Sequence, residues 1–183
     1  MAEYYFDIET YSSGDRPDPE HDKVITIQFQ KIDLRTGRHI GDLTILKEWE
    51  LSEKEIITEL FNRFFKEGSS IWEFVPVGFN LNFEWEFLIS KFGEHLGKKF
   101  TSRELHYRIP HVDLKPIVVL LNNGSFVGAK LDKFTGKAND GSVIKELYES
   151  KKFDEIEKYI KVENEAFLEF LQRIKLNISK LVE

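Results

Sequence analysis

Apolar and polar positions change their spacing along this chain, and each change marks an element. Tyr4-Tyr5-Phe6, followed by Ile8 between two acids, predicts a buried strand over residues 3–9. Val24 to Ile32 alternates strongly and predicts a second strand. Between them, Ser12 to Asp22 is polar and carries Gly14, Pro17 and Pro19, so it predicts a loop. Arg35-Thr36-Gly37 signals a turn, and Asp42 to Trp49 predicts a third strand. Links this short join antiparallel neighbours, so the three strands are expected to form a meander.

From Ser52 the spacing becomes helical, with apolar residues at Ile56, Ile57, Leu60, Phe61 and Phe64. Ser52 and Glu55 have the spacing of a capping box. Ile71 to Phe79 predicts a fourth strand, and a second helix from Asn82 carries Phe83, Phe87, Leu88 and Phe92. Val112 to Leu121 is apolar but interrupted by Pro116, which predicts a strand followed by a short helix. Asn122 to Ser142 contains Gly124, Gly128, Gly136 and Gly141 and is expected to be irregular. Asp154 to about Lys180 predicts one long amphipathic helix. The order β-β-β-α-β-α-(β)-α-α describes an α/β protein with a mixed sheet flanked by helices.

Composition bounds this picture. At 183 residues the chain is expected to form a single domain, residues 1–183, with a substantial core. No apolar stretch approaches the roughly 18 residues of a membrane span. The opening Glu3-Tyr4-Tyr5-Phe6-Asp7 lacks the basic start of a signal peptide, so a cytoplasmic location is expected. The chain has no cysteine, which excludes disulfides, thiolate nucleophiles, zinc ribbons and iron–sulfur clusters. One Met among many Lys and Glu leans towards a thermophile. The net charge is −6, but Lys91 to Lys152 holds twelve Lys and Arg against seven Asp and Glu. That uneven distribution fits a basic surface for a phosphate backbone beside an acidic site elsewhere.

Three short patterns concentrate the chemistry. In Phe6-Asp7-Ile8-Glu9-Thr10 the two acids fall on one face of a strand, with Tyr5 or Ile8 expected to face the other way. Two such carboxylates repel each other, and a cation is their natural partner; alone, the pattern is also common surface charge. In Gly78-Phe79-Asn80-Leu81-Asn82-Phe83-Glu84, a strand ends at a helix start. Asn80 or Asn82 is placed to cap that helix, and Glu84 falls in its first turn, where the dipole favours an anion. Tyr159 and Glu163 stand one turn apart on the last helix. Lys137 follows Gly136, but Leu131 and Ala138 break the P-loop pattern, and no dinucleotide-binding glycine fingerprint is present.

Taken in order, these patterns resemble the DEDD 3′–5′ exonuclease superfamily, specifically its tyrosine-type branch with a ribonuclease H-like fold. Phe6-Asp7-Ile8-Glu9-Thr10 is similar to the first exonuclease motif. Gly78-Phe79-Asn80 with Phe83-Glu84 is similar to the second, and Tyr159 with Glu163 to the third. His111-Val112-Asp113-Leu114 and Ala129-Lys130-Leu131-Asp132 resemble connecting segments of family B polymerase proofreading domains. The resemblance spans nearly the whole chain. This chain carries Glu84 and Glu163 where the family normally has Asp. Glu is one methylene longer and magnesium demands near-ideal geometry, so slow, manganese-dependent or absent hydrolysis follows from the difference. None of the five histidines lies on the last helix, which disfavours the histidine-type branch.

The resemblance implies two divalent ions, Mg2+ or Mn2+, with Asp7 bridging them and Glu9, Glu84 and Glu163 completing their shells. Tyr159 would orient the attacking water, and Thr10 and Asn80 would line the site of the terminal nucleotide. Single-stranded DNA is the expected substrate, released as nucleoside 5′-monophosphates. The alternatives are RNA, a nuclease-like binding module without hydrolysis, and a proofreading subunit. Phe79, Trp85, Tyr107, Phe126 and Phe134 are candidates to stack on bases, and Lys130, Lys133 and Lys137 to touch phosphates. Self-association into a homo-oligomer would lengthen the binding track.

Overall fold

The structure, a computed structural model, describes residues 1–14, 16–133, 143–178 and 180. Its strands are β1 (Glu3–Tyr11), β2 (Lys23–Asp33), β3 (Arg38–His39), β4 (Thr44–Lys47), β5 (Val75–Gly78) and β6 (Val112–Asp113). Its α-helices are α1 (Glu53–Phe64), α2 (Asn82–Leu96), α3 (Ser102–Arg108), α4 (Lys115–Leu121), α5 (Val143–Glu149) and α6 (Phe153–Ile178). The sheet order is β3-β2-β1-β5-β6, with β4 also paired to β2. β1–β2, β2–β3 and β2–β4 are antiparallel, whereas β1–β5 and β5–β6 are parallel. The mixed sheet flanked by helices is the expected architecture.

Strand β1 sends alternate residues to opposite faces. Phe6 and Ile8 join Phe29, Leu60, Trp85 and Phe92 under α1 and α2. Tyr5 faces the other way, into a cluster with Val77, Val118, Phe167 and Leu171 under α4 and α6. Each large apolar side chain fully buried in these layers contributes about 1.5–3 kcal/mol. The start of α6 is tied to the sheet edge. Trp49 stacks on Phe153 with ring centres 4.6 Å apart, and Lys47 Nζ meets Glu157 Oε1 at 2.8 Å. These contacts lay α6 across the odd-numbered face of β1.

Several boundaries differ from the sequence pattern. The expected third strand shortens to β4 and shares one edge of β2 with the two-residue β3. The expected strand from Ile71 begins only at Val75, because Ile71 and Trp72 lie in an exposed turn. Helix α3 was not expected, although Thr101 and Glu104 form a capping box like that of Ser52 and Glu55. Helix α5 was not expected either. Among the described residues, no helix is long and apolar enough to cross a membrane.

Gly78 is dictated by the close approach of β5 to β1. A Cβ there would meet Leu81 Cδ2 at 2.5 Å and the Phe6 carbonyl oxygen at 2.8 Å. Only glycine lets the two backbones approach this closely just before the chain turns into α2.

Candidate active site

Asp7 and Glu9 project from the odd-numbered face of β1, and Glu163 projects towards them from α6. One carboxylate oxygen from each lies within 4.8 Å of the others. Three of the four expected carboxylates therefore come together from segments more than 150 positions apart. The β1–β2 register shifts between Glu9 and Thr10, where Ile25 of β2 is the extra residue of a β-bulge. Bulges bend a strand and re-aim side chains, and this one sits immediately after the acidic pair.

Glu84 takes its expected place in the first turn of α2, but outside that group of three. It is buried beside Asp7, and its Oε2 has no hydrogen-bond partner. Burial, followed by the negative charge of Asp7, raises its pKa well above the usual carboxylate range.

Tyr159 is half-buried one turn before Glu163. Burial raises its pKa, and the carboxylates of Glu9, Glu163 and Asp7 add to the rise. Tyr5 responds in the same way, through burial first and then Asp7, Glu163 and Glu9. The charges acting on both hydroxyls are thus carboxylates of one cluster. Oxygen donors gathered around a focus of negative charge, with a buried carboxylate oxygen unpartnered beside them, suit a hard divalent cation.

Tyr5 corrects one expectation. It shares the face of Asp7 rather than opposing it, because residues two apart on a strand point the same way. Its hydroxyl donates to Asp7 Oδ2 at 3.3 Å, and its ring packs on Phe167 with centres 5.0 Å apart. The same Asp7 oxygen accepts from Gln28 Nε2 at 3.0 Å. The parity of β1 was enough to find Tyr5 from the sequence. Gln28 was not accessible in that way, because its role follows from the pairing of Asp7 with Gln28 across β1 and β2.

The approach to α2 is built differently from the expected cap. Neither Asn80 nor Asn82 caps the helix; Leu81 occupies the cap position without a side-chain bond. Asp113, at the end of β6, accepts the backbone N–H of Asn80 at 2.8 Å and that of Leu81 at 3.0 Å. Parallel pairing of Gly78 with Asp113 delivers the carboxylate to this turn. Asn80 adopts a positive φ of 66°, which Asn tolerates better than most residues. Its side-chain oxygen accepts from Lys115 Nζ at 2.6 Å. Asn80, Asp113, Lys115, Val119 and Phe126 line one open cleft at the sheet end.

The remaining candidates divide by exposure. Thr10 is half-buried beside the bulge, and Lys130 is exposed. Phe79 packs partly against the α4–α6 cluster. Trp85 is fully buried and stacks on Phe6 with centres 6.3 Å apart, which removes it as a base-stacking platform. Tyr107 and Phe126 are 85% and 75% exposed. Phe134 and Lys137 lie outside the described residues. The basic segment is not one surface: Lys91 is buried against Glu94 and Glu53, whereas Lys98, Lys99, Arg103 and Arg108 are exposed around α3. Helix α3 packs through Leu105 into the layer opposite the carboxylates.

No protein-family model matches the chain. A stretch of 87 residues, 47% of the chain, is 36% identical to DNA polymerase 2 of Aeropyrum pernix and spans 10% of that protein. A solved structure of E. coli exonuclease I, a zinc-bound complex with single-stranded DNA, superposes on 99% of the chain with a TM-score of 0.64 and 11% identity. The fold is that of exonuclease I. The chain covers 42% of that exonuclease I structure, so it corresponds to less than half of its length. The exonuclease I fold agrees with the architecture that the DEDD resemblance implied. The polymerase match fits the likeness to proofreading domains.

Proposed function

We propose that residues 1–183 form one exonuclease domain that hydrolyses single-stranded DNA from its 3′ end with two divalent ions and releases nucleoside 5′-monophosphates. The observation that carries this reading is the convergence of Asp7, Glu9 and Glu163 from β1 and α6, with Tyr159 one turn away. The exonuclease I fold supports it, and the single strand in that relative's complex supports the choice of substrate.

Asp7, Glu9 and Glu163 would hold the ions, Mg2+ or Mn2+, with Glu84 reaching in from α2 beside Asp7. Bound there, such ions supply Lewis acidity at the phosphoryl group and at the leaving oxygen. The chain's own residues position the rest. Tyr159 holds the attacking water in line with phosphorus while the water oxygen forms the new P–O bond. The bond from phosphorus to the 3′ oxygen of the preceding nucleotide breaks; the attacking water gives up its proton to solvent, and the leaving oxygen takes one up. Thr10 and Asn80 flank the terminal nucleotide, Lys115 holds the Asn80 amide in place, and Phe126 offers an exposed face at the same cleft. Lys130 and Lys137 would contact the backbone further along the strand.

One observation favours a second reading, a strand-binding module without hydrolysis. Glu84 is buried and stands outside the group formed by the other three carboxylates. A 5′-labelled single strand incubated with Mg2+ and then Mn2+, alongside Asp7→Ala, separates the two. A ladder shortening from the 3′ end, lost with chelator and in Asp7→Ala, is the expected result. Strand retention without cleavage in either metal would overturn the exonuclease in favour of the binding module.

A further inference from the structure

The polar residues of β2 beside Asp7 are buried as deeply as the core. Thr26 and Gln28 are fully buried, and Tyr5 is nearly so. An amide or hydroxyl taken out of water costs free energy unless it finds partners, and an apolar residue at the same place would carry no such cost. Ile25 and Ile27, their neighbours on the same strand, are the apolar residues that a purely structural core selects.

The hydrogen bonds have a direction. Thr26 Oγ1 donates to Gln28 Oε1 at 3.0 Å, which turns the amide so that Nε2 faces Asp7. Gln28 Nε2 donates to Asp7 Oδ2 at 3.0 Å, and the Tyr5 hydroxyl donates to the same oxygen at 3.3 Å. A flipped amide would set its carbonyl oxygen against the carboxylate. Strand register supports the arrangement, because Gln28 lies directly opposite Asp7 and Thr26 opposite Glu9.

We propose that Thr26, Gln28 and Tyr5 are positioning residues that fix the rotamer and orientation of Asp7, and so set the affinity of the carboxylate cluster for its divalent ion. This inference rests on the exonuclease reading of that cluster. Two donors converging on Oδ2 hold the carboxylate plane fixed with respect to Glu9 and Glu163. Thr26 acts at one remove, through the Gln28 amide. Partners of this kind behind a metal-binding carboxylate are typically worth about 10–100-fold in metal affinity.

The test is Mn2+ binding by isothermal titration calorimetry on the full chain, with hydrolysis of a labelled strand measured in parallel. Tyr5→Phe keeps the ring on Phe167 and removes only the hydroxyl. Gln28→Leu removes the amide, and Thr26→Val removes the hydroxyl that orients it. Tyr5→Phe and Gln28→Leu are each expected to raise the Mn2+ dissociation constant about 10–100-fold. The Mn2+ concentration for half-maximal hydrolysis should rise in parallel, while KM for the strand at saturating Mn2+ stays constant. Thr26→Val should shift both in the same direction by a smaller factor. If Gln28→Leu fails to fold, as judged by its melting curve, Tyr5→Phe decides.

Asp7→Ala separates the two levels of failure. If the parent binds Mn2+ through Asp7 but Tyr5→Phe and any folded Gln28→Leu bind it equally well, the positioning role is overturned and the exonuclease reading stands. If the parent binds no Mn2+, or Asp7→Ala binds as the parent does, both are overturned.

Discussion

The carboxylate of Asp113 accepts the backbone N–H of Asn80 at 2.8 Å and closes the turn that carries the chain from β5 into α2. Through the same side chain it also satisfies the N–H groups of Leu81 and Lys115, at 3.0 and 2.9 Å. One carboxylate thus orders two helix starts and places Glu84 and Asn80 relative to the sheet end. Its importance is invisible in a local reading, because it stands 33 positions from Asn80.

Asp113→Ala would leave these backbone donors without their partner. Each unsatisfied buried donor costs about 1–3 kcal/mol, reduced here because the turn is only partly buried. The melting temperature should fall by roughly 2–4 °C per kcal/mol lost in a chain of this size. Strand cleavage should fall as well, since Glu84 and Asn80 lose their common support. Asp113→Asn, which keeps one acceptor oxygen, should recover part of both. Differential scanning calorimetry beside the nuclease assay checks it.

Glu84 makes stability depend on pH in the opposite sense to an ordinary paired carboxylate. Its folded pKa lies well above the usual carboxylate range. Above the unfolded pKa, therefore, the unfolded chain has released a proton that the folded chain retains. Stability from this group is complete below the ordinary carboxylate range and declines as pH rises through the folded pKa. Without metal, the melting temperature of the parent should fall between pH 5 and pH 8 by more than that of Glu84→Gln, which has no proton to lose there. Equal slopes for the two proteins would show that the burial of Glu84 carries no such penalty.

Adding Mn2+ should stabilise the folded chain by mass action. The gain is about 2.7 kcal/mol when free ion exceeds its dissociation constant a hundredfold, corresponding to several degrees in melting temperature. A chelator should reverse it. Glu163→Ala, which removes the contribution of α6 to the cluster, should abolish most of the shift. A shift of the same size in Glu163→Ala would place the ion elsewhere.

Tyr159→Phe should leave Mn2+ binding and strand affinity close to the parent values while cleavage slows by about 10²-fold, the lower range for a residue that positions a reacting proton or water. Single-turnover measurements at saturating metal isolate that step. A rate unchanged from the parent would remove Tyr159 from the chemistry and leave its ring as packing beneath Glu163.

The elements that hold the site were legible wherever one period ran unbroken. The capping box of Ser52 and Glu55, the alternation of β2 and the long spacing of α6 each reflect contacts within a few residues of one another. Trp85 was misread as a possible stacking platform because its position near the second motif says nothing about which layer it enters. Its burial against Phe6 is a property of α2 packing on β1. Asn80 and Asn82 had the right chemistry for a cap, but a neighbouring strand supplied a better-placed acceptor.

What the sequence determined by itself was the order of the longer strands and of helices α1, α2, α4 and α6, the acidic pair on one face of β1, and the pairing of Tyr159 with Glu163 on one face of a helix. These follow from backbone periodicity, which a short window of residues fixes. What only the tertiary structure decided was which carboxylates meet, that Glu84 is buried outside the group of three, that Gln28 braces Asp7, and that Asp113 closes the turn into α2. Those relations depend on strand register and on where α6 crosses the sheet. Both are set by the burial of many distant side chains at once, so no local pattern encodes them.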